Sequence, residues 1–526
     1  MLIYMKENFL IDKSINFAAK KEKMKKERRA SRMEWVNPIL QIKKRFLHVI
    51  SNKLSGNAAQ PEDGANICSE GRALSARKNE HSLIVYLLFA VQVILTISCG
   101  RAVIPVVGIV LCAVGFIKGK TKVDLWIFVP MILYNVFTCA ASYVSHGNIR
   151  MGAAYAQLIF PILYLVLSYL DDGDLRLLRR LCIIWVAFTA LFGLAQFFNR
   201  VLVHHSVMRL RGIVGGPNAV GPFLVIGYFV YLGCMPKEAN RTNRIGLWFW
   251  KSIEPVMLTT LALTLSMGSF VALSVGMIAI FVAMMRRDGL KASVWYICRL
   301  GARVCIGLAF GLLLYISVGR TGKLWLCIPM AVYIAIFTLY WDKFDRFLLD
   351  HKRMAVLIAA SGILLALMAV IIRPSSTATF LERLQMMRNG IHYIAANPLF
   401  GVGQGNWQGL NMYDADKYFN VSHIHNMFIH TGVETGAAAM LMLLVITIRC
   451  FIKKKELFSR ASCSAFLFHS MIDTAFFITK IPVLLLITAF EPRSGAKTVK
   501  TAVVRALCGV LAVVFVCNLY GYLTTG

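Results

Sequence analysis

Apolar runs close to the ~20 residues that carry an α-helix across a bilayer follow one another from residue 81 onward, separated by short polar turns. They fall at 81–100, 102–117, 124–146, 151–169, 181–198, 218–235, 246–266, 268–285, 302–318, 324–341, 354–372, 427–448 and 501–523. The stretch 463–490 fits either one long span or a span followed by a re-entrant piece. A chain in hydrocarbon must satisfy its backbone polar groups internally, so the pattern predicts an all-α, polytopic transmembrane helical bundle with about 13 to 15 crossings. Residues 81–526 make up that membrane domain.

One polar interval, residues 373–426, interrupts the pattern. Loops longer than roughly 12 to 15 residues tend to be functional or disordered, and this one carries the signals of folded structure. Thr379-x-x-Glu382 reads as a capping box, and Phe380, Leu384, Met387, Ile391 and Ile394 recur at helical spacing, which predicts an amphipathic helix on the membrane surface. It should stop at Asn397-Pro398, because proline disfavours helical geometry in the residue before it. Arg383 and Arg388 flank the apolar stripe, where arginines either snorkel to lipid headgroups or bind a ligand. Beyond it, Gly401, Gly403 and Gly405 alternate with Val402 and Gln404. Such a backbone can bring its amides close to an anion or serve as a plain connector, and no strand and crossover helix surround it to suggest a dinucleotide fold.

Charge orients the bundle. Of 526 residues, 57 are Lys or Arg and 26 Asp or Glu, a net charge of +31, while 58% are hydrophobic. In a membrane chain a basic surplus gathers in cytoplasmic loops and beside anionic lipid, so nucleic acid is not the expected partner. With the basic N-terminus inside, the turns Lys118–Lys122, Arg176–Arg180, Lys237–Arg244, Arg286–Lys291, Lys343–Arg353 and Arg449–Lys455 all become cytoplasmic. Outside then lie 199–217, the tight turn Ser266–Ser269 and the long loop. Residues 1–80 form a basic cytoplasmic extension, disordered or surface-helical, which lacks the short apolar core of a cleavable signal peptide. The 13 cysteines are scattered and none forms a C-x-x-C pair, so they read as small buried hydrophobes.

Candidate chemistry concentrates outside. Arg209-Leu210-Arg211-Gly212 leads to Pro217-Asn218, and two arginines there run against the charge rule, yet a forked guanidinium matches phosphate oxygens. At the entry to the 427–448 span come His423, His425, Asn426, His430 and Glu434. Imidazole is the side chain best suited to accept a hydroxyl proton near neutral pH. His430/Glu434 and His469/Asp473 are each one helical turn apart, and ionisable pairs within spans are functional candidates. His423 and His425 would not share a helix face and no carboxylate cluster joins them, so no metal site is expected.

The order of these pieces resembles the O-antigen ligase and O-antigen polymerase superfamily of bacterial surface-polysaccharide enzymes, over about residues 81 to 490. The resemblance rests on the Arg209–Asn218 loop, Arg383 in the predicted amphipathic helix, Asn-Pro-Leu-Phe-Gly-Val-Gly-Gln-Gly-Asn at 397–406, and His425-Asn426 followed by Glu434-Thr435-Gly436. It implies metal-independent transfer of glycan from a polyprenyl-pyrophosphate-linked donor to a glycan, lipid or protein acceptor, without cofactor, at the outer face of a bacterial plasma membrane. By the same resemblance His425 activates the acceptor hydroxyl, and Arg209 or Arg211 with Arg383 holds the departing pyrophosphate. Arg388, Asn218, Gly401, Gly403, Asn406 and Asn426 are the further expected substrate contacts. The chain departs from the family pattern at Met267, where an arginine is frequent, and at Met387, where tryptophan is common.

Two other classes compete with this reading. A transporter would use the His/carboxylate pairs as a proton relay, but no internal repeat is visible. A metal-dependent oligosaccharyltransferase would need carboxylates on the first outer loop, which here is little more than Gly100-Arg101.

Overall fold

A computed structural model of the chain describes residues 82–98, 102–147, 155–204, 208–235, 244–321, 327–372, 375–411, 421–453, 456–492 and 496–525. The basic extension 1–80, the Gly100-Arg101 turn, Arg373 and most of the Lys237–Arg244 turn lie outside them. The described chain is almost wholly helical, as expected. In order run α1 (Ser82–Ile97), α2 (Val103–Lys118), α3 (Leu125–His146), α4 (Tyr155–Leu167), α5 (Asp172–His204) and α6 (Pro217–Cys234). Then come α7 (Arg244–Thr264), α8 (Met267–Asp288), α9 (Leu290–Thr321), α10 (Cys327–Asp350), α11 (Lys352–Ile372) and α12 (Ser375–Ala396). The last are α13 (Asn406–Asn411), α14 (Met427–Lys453), α15 (Leu457–Ile472), α16 (Lys480–Ala489) and α17 (Thr501–Thr525). Two short strands, β1 (Thr121–Val123) and β2 (Lys497–Val499), pair antiparallel with Thr121 opposite Val499, an addition to the all-α expectation.

The larger of two units comprises Ala76–Cys234 and Glu254–Gly526. Of the smaller, the described residues are Met235 and the first ten of α7. Among the described residues, seven helices are long and apolar enough to cross a membrane: α3, α5, α6, α8, α9, α14 and α17. α17 has a mean hydropathy of 2.3 with only 17% of that window buried, so its apolar side chains face outward, as lipid requires. Helices α1, α2, most of α4, and α16 are apolar but shorter, and the seven are fewer than the 13 to 15 crossings expected.

Local chemistry sets the ends. Asp124 caps α3 by accepting the Trp126 amide at 3.0 Å, and Gly147 in the left-handed region closes it. Glu456 caps α15 through the amides of Phe458 and Ser459. α12 begins four residues before Thr379, so the Thr379–Glu382 pair lies inside the helix and is not its cap. α12 does end at Ala396, before Asn397-Pro398. The expected apolar stripe divides: Met387 and Ile394 join Met386 against Trp407, Ile424 and Val433, while Phe380, Leu384 and Ile391 stay exposed.

Within the larger unit a buried ion network joins α6, α7, α9 and α10. Glu254 is fully buried and accepts from Tyr228 Oη and Trp341 Nε1, each at 3.0 Å. Arg303 pairs with it at 3.2 Å, reaches Asp345 at 3.3 Å and lies over the Trp341 ring. Removing one partner of such a network leaves the other buried and uncompensated, at a cost of about 3–5 kcal/mol. Glu254→Ala is therefore expected to lower the thermal melting point in detergent sharply, with Asp345→Asn, which keeps the Glu254–Arg303 pair, falling much less.

Candidate active site

The stretch expected as one span or a span with a re-entrant piece is a broken helix. α15 stops at Ile472, Asp473 is extended (φ −155°, ψ 175°), a single 3-10 turn covers Ala475–Phe477, and α16 follows. The break leaves the last carbonyls of α15 without helical partners, and a cation is the natural occupant of that partly negative end. Arg383 on α12 fills the role: Nη1 donates to Ile472 O at 2.7 Å, and Nη2 pairs with Asp473 Oδ2 at 3.0 Å. Asn426 Nδ2 donates to Met471 O at 3.1 Å.

His425 arrives at the same carboxylate, its Nε2 lying 4.0 Å from Asp473 Oδ1. The neighbouring Asn426 positions it. Asn426 Oδ1 accepts the amides of Phe428 and Ile429 and so caps α14, while its amide holds the end of α15. Asn426 therefore links the start of α14 to the end of α15. An asparagine directly before an apolar helical run is a cap signal that was present in the sequence.

Burial pushes the His425 imidazole down, to about 4, with Arg383 adding to the effect and Asp473 opposing it. Burial likewise drives His423 to about 3. At neutral pH the His425 ring is uncharged. Its Nδ1 is buried without a hydrogen-bond partner among the described residues, as are Arg383 Nε and His469 Nδ1. The site thus presents a bare ring nitrogen beside a fixed guanidinium and a carboxylate.

His469, one turn before Asp473, is fully buried and bonds Ser269 Oγ through Nε2 at 3.3 Å. Ser269 in turn bonds Ser266, at the N-terminus of α8. This turn packs on α6: a side chain at Gly221 would collide with Ser269 and Ser266. One turn earlier on α6 is Asn218, whose Oδ1 accepts Arg209 Nη2 at 2.7 Å, while Arg209 Nε donates to Thr264 O at the end of α7. Arg383 and His425 therefore share one carboxylate, while Arg209 meets Asn218 at the start of α6, which packs on the Ser266–Ser269 turn that His469 contacts. Arg211 is exposed. Arg388 is also exposed, five residues beyond Arg383 and so rotated about 140° around α12, which separates it from the cluster.

The glycine-rich stretch has a different task from the expected anion cradle. α14 is unwound at Gly436 (φ 88°, ψ 167°), and the stretch repairs the gap: Val402 N donates to Val433 O at 2.7 Å and Ala437 N to Pro398 O at 2.8 Å. A Cβ at Gly401 would stand 2.3 Å from Val433 O, and one at Gly436 2.0 Å from Leu399 O. Gly403 abuts Ser145, Gly401 N is given to Asn397 O, and Asn406 Nδ2 to Val402 O. Gly401, Gly403 and Asn406 are thus engaged within the chain, at the joint between this stretch and its neighbours. His430 and Glu434 lock the same joint. Ile424 N donates to His430 Nδ1, His430 Nε2 lies 3.3 Å from Glu434, and Gly405 N donates to the other Glu434 oxygen. Both imidazole nitrogens thus have partners within this joint.

Neither a family model nor a curated protein matches this chain, so its chemistry is read from the site itself.

Two outcomes follow. A histidine whose folded value of about 4 lies below its ordinary 6.5 stays neutral across that window, and the fold loses stability from this group as pH falls from 6.5 toward 4. Ring-nitrogen NMR of the detergent-solubilised protein should place His425 near 4, and Asp473→Asn should lower it further by removing the opposing charge. Gly436→Ala combines positive φ with a backbone collision, so it should cost on the order of 1–3 kcal/mol or more and shift the thermal melt down. His425→Ala should leave that melt nearly unchanged.

Proposed function

We propose that this chain is a membrane glycosyltransferase of surface-polysaccharide assembly, of the O-antigen ligase or polymerase type, moving glycan from a polyprenyl-pyrophosphate carrier to an acceptor hydroxyl. The observation that carries the reading is the convergence of His425 and Arg383 on Asp473, at a helix break, with ring and guanidinium nitrogens left unpartnered. Such transfer needs two things: a base for the acceptor proton and fixed positive charge for the leaving pyrophosphate.

His425 supplies the first. Its Nε2 faces Asp473, so Nδ1 takes the hydroxyl proton as the acceptor oxygen bonds to the anomeric carbon, and Asp473 stabilises the imidazolium that results. The bond from the anomeric carbon to the pyrophosphate oxygen breaks, and the electron pair leaves with the phosphate. Arg383 supplies the second requirement. Its Nη groups are held by Ile472 O and Asp473, which aims the remaining guanidinium edge, and Nε on that edge is a donor without a partner. Arg209, anchored by Thr264 O and Asn218, brings a further cation to the neighbouring turns. In this reading the site faces away from the cytoplasm, with the N-terminus inside and Lys/Arg-rich turns on the inner side.

Alanine at His425 or at Arg383 is expected to abolish surface polymer, with the protein still recovered in the membrane fraction. Polymer of normal length and amount in both variants rejects the chemistry. Arg383→Lys keeps a charge but cannot hold a carbonyl and a carboxylate with one rigid fork, so about a tenfold or greater loss of polymer is expected. In a deletion strain, accumulated single lipid-linked repeats identify a polymerase and accumulated full-length chains a ligase.

A further inference from the structure

An apolar cavity lies beside this site. It encloses about 150 Å³ between α3, α4, α14, α15 and α16, with Met131, Phe160, Phe466, Phe476, Thr447 and Phe490 in its walls. A smaller polar space of about 20 Å³ adjoins it, and Tyr134 and Gln157 line both. The smaller space is walled by Gln404, His430, Thr431, Glu434, Thr435 and Phe477. Its far wall is the near wall of the candidate active site: the His423 and Phe477 rings stack at 4.9 Å, and Phe477 lies four residues after Asp473. Met427, two residues after His425, lines the apolar cavity.

Three features of these spaces identify their occupant. First, the walls of the larger space are candidate membrane spans, α3 and α14, and its lining is nearly all hydrocarbon and aromatic, which suits a lipid tail. Second, polar atoms point at a partner that is not protein. Asn135, 5% exposed, lines the apolar cavity with both amide atoms unpartnered, and Gln404, 8% exposed, lines the polar space with Oε1 unpartnered. Buried amides without partners are costly, and a ligand's hydroxyl or amide groups satisfy them. Third, no lysine or arginine lines either space among the described residues, and the carboxylates present are Glu434 and Glu491. A phosphate headgroup there would meet negative charge and no counter-charge.

We infer that these joined spaces seat an uncharged glycolipid, its hydrocarbon in the apolar cavity and its sugar hydroxyls at Asn135, Gln157, Gln404 and Glu434. This rests on the proposed transferase reading, in which the seated lipid is the acceptor. The anionic donor belongs with Arg383 and Arg209, and the neutral acceptor approaches His425 from the opposite side, past Phe477 and His423.

Binding, measured apart from transfer, tests the assignment. The full chain in nanodiscs is titrated with monoglucosyl diacylglycerol, plain diacylglycerol and phosphatidylglycerol of identical acyl chains, and retained lipid is read by native mass spectrometry. The glycolipid should be retained about tenfold over both others, a difference of about 1.4 kcal/mol. Thr447→Phe, which fills the cavity, should abolish retention, and Gln404→Leu or Asn135→Leu should erase the preference for the sugar while leaving tail binding. Phosphatidylglycerol bound as well as the glycolipid, or equal retention of all three lipids, overturns the proposal, as does a sugar preference that survives both leucine variants. His425→Ala should keep the glycolipid while losing polymer. Glycolipid retained by a protein whose His425→Ala variant still makes polymer would instead refute the transferase chemistry and spare the lipid site.

Discussion

A carboxylate withdrawn from water must be given cations or N–H donors, and the organisation around Asp473 follows from that requirement. Asp473 is 2% exposed and sits where α15 has ended, so the chain itself offers it the Thr474 amide and little else. The remaining partners come from distant segments, Arg383 on α12 and His425 ahead of α14, while His469, one turn back on α15, holds Ser269 on α8. One helix break thereby gathers four elements. The same arginine also meets the helix's unpaired carbonyl, so the electrostatic demands of the helix end and of the acid are answered by a single side chain.

A second break makes that gathering possible. α14 opens at Gly436, and the 397–405 stretch threads against it closely enough that carbonyls stand where side chains would be. The joint is closed by Glu434, which takes the Gly405 amide and faces His430, and by Trp407, fully buried against Ile424 and Val433. Ile424 is next to His425. Rigidity imposed on Ile424 by packing and by the His430 contact is passed one residue on, to an imidazole that must meet its carboxylate within a few tenths of an ångström.

Much of this was legible before any coordinates. Hydrophobic length alone located α3, α6, α8 and α14 within a few residues, because a bilayer span has a narrow range of lengths. Arg383 and His425 were singled out by the resemblance to a known family, and Asn397-Pro398 marked the end of α12. What escaped were features decided by tertiary contact. The break at Asp473 carries no proline or glycine, so Ile472-Asp473-Thr474-Ala475 reads as helix, and His469 and Asp473 seemed to share a face that Asp473 has left. Positive φ at Gly401 and Gly403 is what glycine-rich sequence promises, but whether the freed amides face a ligand or the next backbone depends on α14. Phe380 and Met387 show the same limit: helical spacing groups them, and only the position of Trp407 and Ile424 says which of them faces protein.

The distribution of charge then separates two kinds of ligand. On one side of His425 stands Arg383, paired with Asp473. On the other side, across Phe477, the walls are apolar or neutral and the formal charges are negative. In a medium of low effective dielectric such a gradient acts strongly over short distances, so under the proposed transferase reading an anionic carrier and an uncharged lipid would be sorted to opposite faces of one imidazole. A base with a neutral ring, rather than an imidazolium, is the species that tolerates both neighbours. Burial keeps it so, and the same burial that depresses His425 strengthens the grip of Arg383 on Asp473.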